Sequence, residues 1–418
     1  MRSNLFFLCF CLTGWTVKAQ SDSTHRQWSL HFQQTAVYQY HAAFDALYSG
    51  DNSLQNKEES AMSLTSTLFF DAPLWKGATF TFNPELSGGK GLSQAKGLGG
   101  FTNGETFRIG NPEPVVYVAR LLLEQNFDLK NQRSIKLVIG KFGLADYFDF
   151  NAYSHDPRVH FMNWSLMNQG SWDYAANTRG YTSGFYAEYK TAPLELRASF
   201  SAVPTSANGP DLDYQYDKAN GINVELTKPF QINKDWNGFL RVLAYRNQAG
   251  MGNYDLANAS QGVPDITSTR SPFRTKYGVG LNVELSYSDI IGLFARYGWS
   301  DGKNETWAFT EIDQSISLGF HFWGKSWHRE QDFAGIAVVA NGLSASHQKY
   351  QQLGGNGFMI GDGNLNYGQE CIVEAFYSFQ VPHSPFALSP NFQWVVNPGY
   401  NIDRGPVSVW GLRVHTEF

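Results

Sequence analysis

The sequence predicts an all-β transmembrane barrel of sixteen antiparallel strands with one long loop folded inward. Three observations carry that expectation. Apolar and polar residues alternate with period two over segments of about ten residues, enough to cross a bilayer at a tilt. The connections between these segments alternate short and long, as periplasmic turns and extracellular loops do. The chain is polar on average, with a mean hydropathy of −0.34, yet 16% of it is aromatic, with 12 Trp, 21 Tyr and 32 Phe. Lipid-facing and lumen-facing residues that alternate cancel in such an average.

From the N-terminus, Arg2, the apolar run Leu5 to Leu12 and the small-residue site Val17-Lys18-Ala19 read as a secretory signal. The expected division is 1–19 for the signal peptide and 20–418 for the barrel. The run is too short for a membrane helix, and no later apolar stretch reaches about 18 residues. Cys9 and Cys11 leave with the signal, so Cys371 has no intramolecular partner. The whole chain carries −5. Without Arg2 and Lys18 it carries 30 − 37 = −7, which speaks against a nucleic-acid partner.

Strands are expected near 28–40, 60–71, 75–85, 115–127, 133–141, 180–190, 193–202, 219–227, 236–246, 275–287, 289–300, 313–323, 333–341, 369–380, 386–397 and 406–418. The clearest hairpin joins Tyr277–Tyr287 to Ile291–Ser300 through the turn Ser288-Asp289. Tyr277, Val279, Leu281, Val283 and Leu285 share one face; Gly278, Gly280, Asn282, Glu284 and Ser286 share the other. The parity of connections weakens at 228–235 and 324–332, long for turns, and at 398–405, short for a loop. In the last strand Trp410, Leu412, Val414, Thr416 and the terminal Phe418 share a face. An aromatic end on the lipid side resembles the signal that the barrel-assembly machinery reads.

If the apolar stripe faces lipid, the other lines the lumen. It carries Arg120, Glu124, Glu195, Arg197, Glu225, Arg241, Glu284, Arg296, Glu374, Gln393 and Arg413. Turning one Arg outward at mid-bilayer would cost roughly 2–4 kcal/mol. Acids and bases are mixed, so neither sign dominates, and such a wall suits dipolar, hydroxyl-rich solutes. The competing reading is that the charges pair and stiffen the wall. The third long segment, 142–179, holds Asp156, Arg158, Asn163, Trp164, Trp172, Asp173 and Arg179. Rings beside such polar groups can stack on the C–H faces of sugars while hydroxyls find partners. Alternatively, the rings anchor the loop to the wall.

Other motifs fail. Asp362, Asn364 and Asn366 open like a calcium loop, but Tyr367 and Val373 stand where Gly and Glu are needed. The glycines at 88–91 and 97–100 lack a following Lys-Ser/Thr. His155 and His160 lack clear zinc-ligand partners, and Ser154-His155-Asp156 are adjacent in one loop, where residues rarely form a triad. No catalytic residue, metal or cofactor is expected.

Several stretches resemble the carbohydrate-selective porins of the OprB type. They are Val138 to Phe142, His155-Asp156-Pro157-Arg158, Phe161-Met162-Asn163-Trp164, Gly170 to Tyr174 and Trp299 to Gly302. Asn341 to Ser344, Gly361-Asp362-Gly363, Tyr367-Gly368, Gln393 to Pro398 and Asp403 to Pro406 continue the likeness. The resemblance implies a sixteen-stranded barrel that admits glucose and other small sugars by facilitated diffusion past charged and aromatic residues. The expected pore-lining set is Arg120, Glu124, Asp156, Arg158, Asn163, Trp164, Trp172, Asp173, Arg179, Arg241, Glu284 and Arg296. Expected partners are small sugars, outer-membrane lipids and the assembly machinery. The alternatives are a general diffusion porin with little sugar preference, or a non-transport barrel acting as hydrolase or adhesin.

Overall fold

A computed structural model describes residues 27–106, 113–288 and 290–418. The signal segment 1–19 and Asp289 of the Ser288-Asp289 turn lie outside the described residues. The strands are β1 Ser29–His41, β2 Glu59–Pro73, β3 Ala78–Gly88, β4 Val115–Leu129, β5 Arg133–Phe142, β6 Thr182–Thr191, β7 Leu194–Ser201 and β8 Asn220–Gln231. They continue as β9 Trp236–Ala249, β10 Arg274–Tyr287, β11 Ile291–Ser300, β12 Gln314–Trp323, β13 Phe333–Gly342, β14 Glu370–Gln380, β15 Phe386–Val396 and β16 Val407–Glu417. Each pairs antiparallel with its sequence neighbours, and β1 closes on β16 from Gln33↔Glu417 to His41↔Val409. Closure removes every free edge, the condition for a sheet in lipid.

The period-two pattern maps directly onto this wall. On β10, Val279 and Leu281 are exposed while Gly280, Asn282 and Glu284 are buried. Leu318, Val338, Trp410 and Leu412 continue the exposed apolar band around the barrel. Such a band is unfavourable in water and stable in lipid. Phe418 stands exposed on it and exchanges backbone hydrogen bonds with Phe32 at 3.1 and 2.8 Å.

Three elements differ from expectation. Lys228-Pro229 reads as a strand end, yet both residues pair with β9, and β8 runs on to Gln231. The connection 228–235 thus shrinks to 232–235, because pairing overrides local propensity. The third strand sits later than 75–85, since Leu74 to Gly77 form the turn before Ala78. The segment 203–218 holds a small two-stranded sheet, Val203–Pro204 with Leu212–Asp213.

A bulge has larger consequences. Asn83 pairs with Arg120 but Pro84 with Val118, which leaves Ala119 as an extra residue on β4. Pro84 has no N–H for the ladder, a situation tolerated at bulges. Tyr117 and Arg120, of opposite parity, therefore both reach the lumen.

The core lies inside the barrel. Residues 161–178 are buried throughout, and they enter with Leu98, Phe101, Trp307 and Phe309 from other long-side loops. The inward fold is thus shared by several loops rather than made by 142–179 alone. Gly97 (φ +79°) shows why the glycine run is there: an added Cβ would lie 1.8 Å from the Leu54 nitrogen.

Candidate functional site

Wall carboxylates position the third long loop by accepting hydrogen bonds from its backbone. Glu374 accepts from the Met162 and Asn163 amides at 2.7 and 2.9 Å. Glu225 accepts from Asp149 at 2.7 Å and Glu284 from Ala152 at 3.0 Å. Arginines take the complementary role. Arg296 donates to the Leu166 carbonyl at 2.9 Å and to Asp149 at 3.1 Å. Arg413 donates to the Pro157 and His160 carbonyls at 2.7 Å each. Asp173, within the loop, accepts from the Trp307, Ala308 and Phe309 amides, each at 2.9 Å. A charge matched to two or three backbone groups is fully satisfied in a dry interior.

Locally, Asn163 starts the short helix Trp164–Met167 by accepting from the Ser165 amide at 3.0 Å. Its side-chain amide donates to the Gly100 carbonyl at 2.9 Å and to Gln393 at 3.0 Å. That cap presents Trp164 between Phe101 and Phe309, with ring centroids 5.1 and 5.2 Å away and near-parallel planes.

Beside this stack lies a cavity of about 180 Å³. Its rim holds Arg120, Arg158 and Arg179, with Glu85, Glu105, Asp146 and Asp156 facing them. Tyr117, Tyr181, Trp164, Tyr174 and Phe309 supply aromatic surface. Arg158 is the hub: it reaches Glu105 at 2.8 Å, Glu85 at 3.1 Å and Thr67 at 3.3 Å. Arg120 grips Asp146 with two bonds of 2.8 and 2.5 Å. Arg179 lies over the Tyr117 ring at 4.3 Å and donates to Ser87 at 3.0 Å. Glu85 accepts from Thr67 at 2.6 Å and from the Tyr117 and Tyr181 hydroxyls.

Burial raises the Glu105 carboxyl above its ordinary range, against the pull of Arg158. Burial acts the same way on Asp156, yet the Arg158 guanidinium and amide outweigh it and hold Asp156 low. Burial also takes His160, just below on the same loop, down to about 4. Charges of both signs thus oppose one another across a small space beside aromatic surface. Such a space offers donors, acceptors and ring faces together.

Of the expected pore-lining residues, the cavity gathers Arg120, Asp156, Arg158, Trp164 and Arg179. The others lie elsewhere. Asn163, Asp173, Glu284 and Arg296 are clamps, as above. Arg241 pairs with Glu284 at 3.2 Å and stacks on Phe150 and Phe239. Glu124 pairs with Lys136 at 3.4 Å, outside the cavity lining. Trp172 lies outside the cavity lining and donates its indole N–H to Asn223 at 2.9 Å, so it anchors the loop. Sequence reasoning missed Glu85, Glu105, Asp146, Tyr117 and Tyr181. Glu85 had a usable signal, since it sits on the lumenal parity of its strand. Tyr117 had none, because the bulge reverses its parity.

Residues 72–418 match the family model described as carbohydrate-selective porin, OprB family. Among solved structures, the chain is similar to a high-pH structure of Pseudomonas putida OprB, with a TM-score of 0.73, 16% identity and 94% of each chain covered. A low-pH structure of the same protein gives 0.51 at 12% identity, covering 94% of this chain and 92% of that one. The outer-membrane channel DcaP of Acinetobacter baumannii gives 0.52 at 11% identity, covering 94% and 97%. No curated protein matches the chain.

Proposed function

Because the chain belongs to the OprB family of carbohydrate-selective porins, and so forms a sugar channel in a Gram-negative outer membrane, we propose that sugars cross it past the Arg120, Arg158, Arg179 and Trp164 cavity. The observation that carries this is the juxtaposition itself. Three guanidinium groups and four carboxylates meet the face of an aromatic stack in one lumenal space. A sugar leaving water loses hydrogen bonds worth about 1–3 kcal/mol per unpaired group, and these side chains replace them. The Trp164 indole N–H, itself buried, has no protein partner among the described residues. Binding stays weak, as passage requires.

The leader 1–19 is cleaved before Gln20 on this reading, and the exposed Phe418 is the feature the assembly machinery recognises. The deciding experiment is liposome swelling with the purified barrel. Glucose should enter faster than a zwitterionic amino acid of similar size. Equal rates would assign the chain to the alternative, a general diffusion pore.

A further inference from the structure

The outer wall carries charge of one sign. Among the described residues, strand pairing places four charged side chains on the lipid-facing stripe: Arg133, Lys141, Lys228 and Arg246. All are basic, and every Asp and Glu of the sixteen barrel strands falls on the lumenal stripe. Arg246 is the informative one. It lies near the end of β9 that opens into the long connection 250–273, hence at the extracellular rim. It pairs across the sheet with exposed Tyr277, whose ring is 6.0 Å from that of Trp299. Aromatic residues at that height mark the membrane interface.

Lumenal arginines on the strands meet carboxylates, as Arg120, Arg241 and Arg296 do, or loop carbonyls, as Arg413 does. Arg197 has Glu188, Glu195 and Glu225, at 3.0, 2.6 and 2.8 Å. Arg246 bonds only neutral amide oxygens, Gln248 at 2.5 Å and Asn220 at 3.4 Å. These two neighbours orient the guanidinium without neutralising it. A charge on the lipid side, held at headgroup height and without a counter-ion among the described residues, calls for an anion from the membrane. A guanidinium binds a phosphate with a fork of two donors. We propose that Arg246 is a binding site for the phosphate head of an outer-leaflet lipid, with Tyr277 and Trp299 packing beside its sugar or glycerol moiety. The cluster lies on the wall opposite to the lumen, so the site is separate from the sugar path.

The test uses the full-length mature barrel in detergent, titrated with bis-phosphorylated lipid A or with dephosphorylated lipid A of the same acyl chains. Bound lipid is read by native mass spectrometry. The phosphorylated lipid should bind the wild type more tightly. Arg246→Gln should weaken that preference by about fivefold, the gain of one basic residue at an anionic surface. Arg246→Lys should retain only the part that charge supplies without the fork, and Lys228→Gln, near the other end of its strand, should leave it unchanged. Heat-modifiable migration checks that each variant is folded. Equal binding of the two lipids by the wild type overturns the proposal without any variant. So does an Arg246→Gln barrel that binds like the wild type.

Discussion

Two stretches of the inner wall carry the same residue types and use them differently. On β8 to β14, Glu225, Glu284, Arg296 and Glu374 each bond loop backbone amides or carbonyls, and three of them also have an ion-pair partner. On β3 to β4, Glu85 and Arg120 meet other side chains, and a cavity remains between them. The difference lies in what is opposite. A loop backbone that presses against the wall offers fixed, densely spaced partners and leaves no room. Charged side chains from two loops, Glu105, Asp146 and Arg158, keep the backbone back and hold a space open. A lumenal Arg or Glu is thus a clamp or a lining group according to its neighbour.

The strongest way to break this comparison is to remove a clamp. Arg296→Ala leaves Asp149 buried without its cation, at a cost of about 3–5 kcal/mol. The denaturant midpoint of the refolded barrel should fall accordingly, and the loop should become cleavable by protease. A variant as stable as the wild type would show that the clamps are dispensable.

A second prediction concerns pH. His160 titrates near 4 in the folded protein, against an ordinary 6.5. The unfolded chain therefore takes up this proton first as pH falls. Stability supplied by neutral His160 is complete above 6.5 and declines between 6.5 and about 4, by up to about 3 kcal/mol. His160→Gln should flatten that part of the pH profile of unfolding. An unchanged slope would place the titration on other groups.

The smallest expected effect sharpens the lining side of the comparison. Trp164→Ala removes a ring contact worth about 0.5–1.5 kcal/mol, or about two- to tenfold in sugar affinity. Sugar block of single-channel current should weaken by that factor while conductance persists. Trp172→Ala should instead lower stability, because that ring lies outside the cavity lining and is bonded to Asn223. If both variants block like the wild type, the sugar passes elsewhere.

The sequence by itself determined the barrel. Alternation with period two is a local property, and it persists because one stripe must meet lipid and the other must not. Strand count, parity of connections and the inward direction of Arg197, Arg241, Glu284 and Arg413 follow from it, residue by residue. Only the tertiary structure decided what those inward residues do. Asp156, Arg158 and Asp173 stand on one loop, yet two of them edge the cavity while the third holds the backbone of 307–309. Nothing in the local sequence separates them, because the partners come from other loops and strands, 53 residues away for Arg158 and Glu105 and 136 for Asp173 and Phe309. Tyr117 turned inward because an extra residue enters the ladder opposite Asn83 and Pro84 of the neighbouring strand. Facing is set by covalent geometry along a strand, whereas partnership is set by what the closed barrel packs against it.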